Sequence, residues 1–291
     1  MKQAYIEKTF RPASLDLIEI IDGIIADYQA QGYMLTTRQL YYQLVARDMI
    51  PNTLQEYKRV AGLINDAKLA GLLDWDAIED RTRDFVRQTR WSSPEQILQA
   101  ACDSYHVDHW VGQQQRVFCI VEKEALVGVL ERVCRRYDVP LLAARGYPSG
   151  TVLREFVQSD VLPALDEVQR PIVLHLGDHD PSGIDMTRDL EERLALFTGQ
   201  WVSVRRIALT MDQVEEERPP ENPAKTTDSR FEGYLKQYGT SSWELDALSP
   251  QYLDNLVADH IKSHIDSVKW AEISARLDMT KTRIRELGAK L

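Results

Sequence analysis

Apolar residues in the first third of the chain recur at helical spacing. The pattern predicts an amphipathic helix over residues 14–31, a second helix over 38–45 and a third over about 54–70. A turn at Pro51 separates the second helix from the third. Two helices joined by a short turn indicate a helix-turn-helix or winged-helix module, and the alternative is a small helical bundle that binds no DNA.

After residue 115 the pattern changes to short apolar runs that alternate with helical segments. The predicted strands cover 117–121, 140–144, 172–176 and 201–207. The helices predicted between them cover 125–136, 151–166 and 184–197. Strands that alternate with helices predict a mostly parallel sheet with helices on its faces, which places the chain in the α/β class.

These patterns divide the chain into three regions. Residues 1–110 are expected to form a helical, winged-helix-like DNA-binding domain and its linker, and the linker at 80–115 holds one helix at about 94–105. Residues 111–210 are expected to form an α/β domain with a Rossmann-like, mostly parallel sheet. Residues 211–291 are expected to form a helical extension that begins with an acidic, proline-bearing connection.

The composition is that of an ordinary globular protein. The chain has 291 residues, of which 44% are hydrophobic and 27% are charged. No apolar run approaches the ~20 residues that span a bilayer, and the first eight residues lack the apolar core of a signal peptide. The odd number of cysteines, three, has no metal-ligand spacing. These features predict a cytoplasmic protein that is not inserted in a membrane.

Charge is distributed unevenly along the chain. The formal net charge is −10, which argues against nonspecific binding of nucleic acid. Residues 36–90 nevertheless hold nine Lys or Arg and eight Asp or Glu, so this segment carries +1. Such a segment is compatible with DNA contact there. The candidates within it are Arg38, Lys58, Arg59 and Lys68.

Two acids follow the apolar run at 172–176. Asp178 and Asp180 come directly after this predicted strand, at the edge of a parallel sheet where α/β proteins place their ligands. Glu122 follows the first strand of the same sheet and is expected at the same edge. Such acids can hold Mg²⁺ or Mn²⁺ and support phosphoryl transfer. The alternative is a solvated acidic turn that caps the next helix.

Two further segments could contribute to this edge. The loop 145–150 follows the second strand, where Arg145 could meet a phosphate and the glycines would allow a backbone to approach closely. Glu244 or Asp246, in an acidic and aromatic stretch, could add a metal ligand. For that stretch, however, the favoured interpretation is a helix that packs on the sheet domain.

The residues that follow the three strands resemble a known family. They are Glu122-Lys123, Gly146-Tyr147-Pro148 and Asp178-His179-Asp180-Pro181-Ser182-Gly183. Over roughly residues 115–210 the chain resembles the Toprim domain, above all that of the topoisomerase VI A subunit and the related meiotic double-strand-break protein. The resemblance implies that Glu122, Asp178 and Asp180 bind Mg²⁺ and support DNA cleavage.

The same family has a winged-helix domain before its Toprim domain, with a cleaving tyrosine as the second of an aromatic pair. Arg38-Gln39-Leu40-Tyr41-Tyr42 resembles that motif, except that Gln39 stands where the family has an acid. The resemblance implies that Tyr42 is the nucleophile, with Arg38 and Glu122 in the catalytic site. The alternative is that Tyr41 or Tyr42 belongs to the core of an amphipathic helix.

Three functions follow as hypotheses. The first is metal-dependent DNA strand cleavage through a tyrosyl-DNA intermediate, and the second is hydrolysis of DNA by a Toprim nuclease without a covalent link. The third is a winged-helix regulator that binds DNA but does not cleave it. Double-stranded DNA and a second copy of the chain, as a homodimer, are the expected partners. The chain contains no Gly-x-x-x-x-Gly-Lys-Ser/Thr loop, so an ATPase, where one is needed, would be a separate subunit.

Overall fold

The N-terminal region of this computed structural model, which describes residues 1–79 and 88–288, is mainly helical. Its elements are α1 (Pro12–Ala30), β1 (Leu35–Thr36), α2 (Thr37–Ala46), α3 (Leu54–Leu69) and β2 (Ile78–Glu79). The three helices lie where the apolar spacing predicts them. The short parallel pairing of β1 with β2 was not predicted, because two-residue strands leave no periodic signal.

Polar caps fix where α2 and α3 begin. The Thr36 hydroxyl accepts a hydrogen bond from the Gln39 backbone N–H, and the Gln39 side chain accepts one of 2.8 Å from the Thr36 N–H. This reciprocal pair is a capping box, which satisfies two backbone donors at once. Thr53 caps α3 through the backbone N–H of Glu56. The inward faces of α1, α2 and α3 then pack in one apolar cluster.

The linker predicted at 80–115 falls partly outside the described residues, since 80–87 are not among them. Arg81, Arg83 and Arg87 of the near-neutral segment lie in that gap. The predicted helix is confirmed as α4 (Pro94–Ser104).

The second half of the chain is built on a four-stranded parallel sheet, which confirms the predicted α/β class. Its strands, in spatial order β4-β3-β5-β6, are β3 (Gln115–Val121), β4 (Leu141–Ala143), β5 (Arg170–Leu176) and β6 (Ser203–Ala208). The helices between them are α5 (Val127–Arg136), α6 (Gly150–Phe156), α7 (Leu162–Asp166) and α8 (Pro181–Thr198). The strands are therefore joined by helical crossovers, as a parallel sheet requires.

Alternate side chains of each central strand enter different apolar layers. In β3, Val117 and Cys119 pack on the side of α5, whereas Phe118 and Ile120 pack with α6, α7 and α8. Both faces of the sheet are covered, which explains why its strands are continuous apolar runs rather than alternating ones. The sheet edge at the carboxyl ends of the strands is left for polar residues.

The C-terminal region holds more structure than the predicted helical extension. Its elements are α9 (Met211–Glu217), β7 (Glu221–Pro223), α10 (Phe231–Tyr238), β8 (Ser241–Trp243), α11 (Pro250–Lys262) and α12 (Ser267–Gly288). The acidic connection predicted after residue 211 is thus a helix followed by a strand, and β7 pairs with β8 in antiparallel fashion. The single helical region predicted over 250–289 is two helices, and residue 289 lies outside the described residues.

The structure can be compared with two expectations from the composition, which concern membrane-spanning helices and the cysteines. Across residues 1–79 and 88–288, no helix has the length and apolar content needed to cross a bilayer. The three cysteines are free thiols buried in the protein, so they form no disulfide framework.

Gly183 sits where a larger residue does not fit. A Cβ atom there would lie 2.2 Å from the carbonyl oxygen of Asp178, far inside contact distance. We expect Gly183→Ala to lower the free energy of unfolding by about 1–3 kcal/mol, the usual cost of overpacking, in urea denaturation. Gly233→Ala is the matched control, because Gly233 is also the third residue of a helix and meets nothing within 4 Å.

The control variant is expected to gain up to about 1 kcal/mol, since alanine favours a helix over glycine. Equal stability of the two variants would show that the start of α8 does not press on the Asp178 backbone.

Candidate functional site

The carboxyl ends of β3 and β5 bring two of the predicted acids into contact. Val121 pairs with Leu176 in the parallel register, so the residues that follow each strand lie side by side. Glu122 Oε2 accepts a 2.9 Å hydrogen bond from the backbone N–H of Asp178. Burial raises the pKa of Glu122 above its ordinary value, although this hydrogen bond opposes the shift. Glu122 therefore meets the loop that carries Asp178 and Asp180.

Asp178 is the most enclosed of the three predicted acids, with 7% of the residue exposed. Its Oδ1 atom accepts hydrogen bonds from the backbone N–H of Leu245 at 2.8 Å and lies 2.9 Å from Lys123 Nζ. Burial raises the pKa of Asp178 to about 8, and the Lys123 ammonium opposes that shift. An ionised carboxylate at this depth needs a cation beside it.

Asp180 caps the helix that follows it. Its Oδ1 atom accepts hydrogen bonds from the Gly183 N–H at 2.7 Å and from the Ser182 hydroxyl at 2.9 Å. The capping role considered for this acidic turn is therefore present at Asp180, whereas Asp178 is buried and not solvated.

Two acids from a distant part of the sequence complete the cluster. Carboxylate oxygens of Asp178, Glu244 and Asp246 lie within 4.8 Å of one another, and within the described ranges Glu122 and Asp180 do not join this group. The pairing of β8 with the loop after β5 explains the approach, because His179 and Trp243 exchange backbone hydrogen bonds of 2.9 and 3.0 Å. Glu244 and Asp246 follow β8 directly and so face Asp178.

The sequence suggested these two acids as extra ligands but favoured a packing helix for their segment. The structure instead has a single 3₁₀ turn there, Leu245–Ala247. The signal that could have identified them is the Glu-x-Asp spacing immediately after an aromatic residue, which parallels the Asp-x-Asp spacing after β5.

Two cations neutralise most of the cluster. Lys123 Nζ contacts all three carboxylates, at 2.9 Å from both Asp178 and Asp246 and in close contact with Glu244. Burial alone would lower the pKa of Lys123, but the three carboxylates raise it above its ordinary value. Arg38 adds ion pairs of 2.7 Å to Glu244 and 2.8 Å to Asp246. With all three carboxylates ionised, three negative and two positive groups leave a formal charge of −1.

The donor set suits a divalent cation. Carboxylate oxygens are hard ligands of the kind that Mg²⁺ and Mn²⁺ prefer, and here three are gathered with a net negative charge. The Lys123 ammonium occupies the centre that such an ion would take, so binding there requires the ammonium to move aside. The three carboxylates therefore fit a divalent metal ion, provided that the ion displaces the Lys123 ammonium.

Helix α2 carries the candidate nucleophile to this cluster. The helix contacts the Leu245–Ala247 turn, and the Arg38 guanidinium carbon lies 5.7 Å from the centroid of the Tyr42 ring. Tyr41 and Tyr42 are 3% and 5% exposed, so both also belong to the core, as the alternative interpretation expected. Burial raises the pKa of Tyr42 to about 12, and the charges of Glu244 and Asp246 contribute.

The remaining basic candidates do not gather around the acids. Lys58 is exposed on α3, and Arg59 on the same helix pairs with Glu56 at 2.7 Å. Lys68 donates to the carbonyl oxygens of Trp75 and Ile78 at 3.3 and 3.4 Å.

Arg145 lies on the sheet edge, in the loop after β4. Its backbone is left-handed, with φ of 55°, and its exposed guanidinium forms an ion pair with Glu124. A phosphate that reached Arg145 would therefore compete with that carboxylate.

Arg206 supports the backbone of the candidate site, and the sequence did not indicate this role. It extends from β6 beneath the loop and donates hydrogen bonds to the carbonyl oxygens of Gly177 at 2.9 Å, Asp178 at 2.5 Å and Gly183 at 2.8 Å. These bonds fix the backbone that presents Asp178. An arginine in a strand carries no local signal of this role, because its partners come from another strand and the next helix.

Comparisons with known proteins were made for the whole chain. A scan against models of protein families found none that matches the chain, and a search among curated proteins found no match.

Two buried histidines make stability depend on pH. Burial lowers the pKa of His175 to about 3 and that of His179 to about 4. The folded protein keeps both neutral, while the unfolded chain protonates them near their ordinary pKa of about 6.5. Each histidine therefore contributes stability above pH 6.5 that is lost as pH falls, by about 1.4 kcal/mol per pH unit.

We expect His175→Asn to flatten this dependence between pH 6.5 and pH 4.5, when free energies of unfolding from urea titrations are compared with wild type. The exposed His106→Asn is the control and should follow wild type. Parallel pH profiles for all three proteins would contradict the assignment of His175 as a histidine held neutral by burial.

Removing the Lys123 ammonium exposes the repulsion among the carboxylates. We expect Lys123→Met to lower the free energy of unfolding at pH 7 by about 3–5 kcal/mol, as for a broken buried ion pair. Mg²⁺ or Mn²⁺ should restore more stability to this variant than to wild type, as measured by thermal unfolding. The exposed Lys236→Met is the control. If Lys123→Met is as stable as wild type and neither Mg²⁺ nor Mn²⁺ changes its unfolding temperature, a metal ion does not take the place of the Lys123 ammonium.

Proposed function

We propose that this protein cleaves DNA strands in a metal-dependent reaction, as a relative of the topoisomerase VI A subunit. The observation that carries the proposal is the packing of α2, with Arg38 and Tyr42, against the acids at the sheet edge. Arg38 and Glu244 are 206 residues apart in sequence, yet the ion pair joins them directly. A candidate nucleophile and a candidate metal site thus meet in one chain.

In this proposal the N-terminal region acts as a winged-helix-like domain and the parallel sheet as a Toprim domain. The support is the order of the parts, since a helical unit precedes a parallel sheet whose acids follow β3 and β5. Gln39 departs from the family motif, and its position in the capping box of α2 gives it a structural role. The missing acid is therefore not needed to form the helix that carries Tyr42.

Asp178 is the proposed metal ligand that belongs both to the set implied by the family resemblance and to the cluster in the structure. The family resemblance proposes Glu122, Asp178 and Asp180, whereas the geometry gathers Asp178, Glu244 and Asp246. A bound Mg²⁺ or Mn²⁺ supplies charge neutralisation and polarises the phosphate oxygens. In this proposal the Lys123 ammonium, once displaced from the carboxylates, pairs with a phosphate of the DNA backbone.

Tyr42 would act as the nucleophile. Its phenolic oxygen attacks the phosphorus atom, a phosphotyrosine ester forms at a 5′ end, and the bond to the 3′ oxygen breaks to leave a hydroxyl. The phenol must lose its proton in this step, and burial together with nearby carboxylates holds its pKa at about 12. In this proposal Glu244, the carboxylate that acts most strongly on the pKa of Tyr42, accepts the phenol proton, and the departing 3′ oxygen takes up a proton from water.

Hydrolysis by a nuclease with the same acids is the second candidate. The observation that favours it is the burial of Tyr42, which is 5% exposed and hence screened from a phosphodiester. In this case a water molecule attacks the phosphorus atom and Tyr42 remains part of the core.

Double-stranded DNA is the proposed partner in both cases. A homodimer would present one site to each strand. Strand passage coupled to ATP would require a separate ATPase subunit.

We expect end-labelled supercoiled DNA to be broken in the presence of Mg²⁺ or Mn²⁺, with protein attached to the 5′ ends before protease treatment. Asp178→Ala and Tyr42→Phe should each reduce cleavage by at least about a hundredfold, as loss of a catalytic group does. Tyr28→Phe is the control, because Tyr28 is also a buried tyrosine on a helix.

If Tyr42→Phe still produces free DNA ends and Asp178→Ala produces none, the protein is a nuclease and not a transesterase. Binding without any cleavage by the wild-type chain would refute both enzymes and leave a DNA-binding regulator.

A further inference from the structure

A cavity of about 200 Å³ opens beside the acids, between α2, the start of α3 and β7. It is a separate space from the carboxylate cluster, although Arg38 borders both. A water molecule occupies about 30 Å³ of liquid, so the cavity has room for an organic group of several ring atoms. Its walls indicate which chemistry such a group would have.

Three tyrosine rings form the aromatic wall. The Tyr41 ring packs edge-to-face on Tyr42, with centroids 5.3 Å apart, and on Tyr57, with centroids 5.4 Å apart. The Tyr41 hydroxyl is held by the Thr53 backbone, donating to the carbonyl oxygen at 3.1 Å and accepting from the N–H at 2.9 Å. The wall is therefore fixed before any ligand enters. Leu54, 69% exposed, also lines the cavity.

Two asparagines supply the polar side. Asn52 Nδ2 donates to the Asn222 side-chain oxygen at 2.8 Å and to the Glu221 carbonyl oxygen at 3.2 Å. Asn222 Nδ2 is buried and finds no hydrogen-bond partner among the residues that the structure describes. A buried donor left unpaired is costly, and a ligand with an acceptor atom in the cavity would satisfy it.

The local charge favours a neutral occupant over a phosphate. Arg38, the cation that borders the cavity, is already engaged by Glu244 and Asp246. Lys123 is likewise paired with the neighbouring carboxylates, so the surroundings of the cavity offer an anion no uncompensated positive charge. A flat, uncharged ring with hydrogen-bond acceptors suits both the aromatic wall and the free amide.

We infer that this cavity receives a nucleobase unstacked from DNA, which rests on the proposed action on DNA. Unstacked bases are held by aromatic side chains and by hydrogen bonds to their edges, the two features on these walls. The site is distinct from the metal-binding acids, and it would hold the strand next to them. Tyr57, Asn52 and Asn222 become binding residues, and Tyr42 contributes its ring in addition to any role of its hydroxyl.

The test uses the full chain and duplexes that carry one 2-aminopurine, placed at successive positions, in EDTA so that no cleavage occurs. Unstacking makes 2-aminopurine fluoresce more strongly, and fluorescence anisotropy of an end label reports binding separately. We expect an increase in 2-aminopurine fluorescence at one or a few positions. Tyr57→Leu should reduce that increase and weaken binding of the duplex by roughly tenfold, the scale of one base stacked on an aromatic ring.

Tyr105→Leu, on the described surface at the end of α4, is the matched control and should behave as wild type. Asn222→Ala should also reduce the fluorescence increase, which a purely aromatic contact would not predict. A complex that forms by anisotropy with no increase at any position overturns the base pocket while leaving strand cleavage standing. Conversely, an increase in fluorescence without metal-dependent cleavage supports the pocket and counts against the proposed enzyme.

Discussion

The ammonium group of Lys123, just after the end of β3, binds carboxylates from two other segments of the chain. It contacts carboxylates from the loop after β5 and from the turn after β8, and Arg38 attaches α2 to the same acids. Charges buried this deeply cost several kcal/mol each unless they are compensated. The position of α2 relative to the sheet edge therefore depends on the charges remaining matched.

The cluster of carboxylates around Lys123 affects both the stability of the fold and the ability of the site to bind a cation. Carboxylates that repel one another are the feature that makes a cation site, and a lysine within reach keeps that repulsion from unfolding the protein. Arg206 supports the arrangement from below by fixing the carbonyl groups of Gly177 and Asp178. Asp178 is consequently presented on a backbone that is held by side-chain hydrogen bonds.

The sequence was sufficient for the features that depend on local pattern. The four parallel strands and the N-terminal helices follow from apolar runs and helical spacing, and Glu122 was placed correctly because parallel strands end at one edge. The sequence was insufficient where residues far apart determine the structure. Asp246 and Glu244 reach the site through backbone pairing between His179 and Trp243, and no local pattern encodes that pairing. Helix α9 was assigned to a connection because its acidic residues obscure the helical period.

The Tyr234 hydroxyl joins the loop after β5 to the strand β8. It lies 2.8 Å from His179 Nδ1 and donates towards the carbonyl oxygens of His179 and Ser241, at 2.9 and 3.0 Å. The chain thus leaves this point at residue 180 and returns to it at 241. Both ends of the segment 180–241 are held at the Tyr234 hydroxyl. Insertions or deletions in surface loops of this segment would therefore leave the spacing between Asp178 and the acids after β8 unchanged. Related chains of quite different length could for that reason preserve the same site.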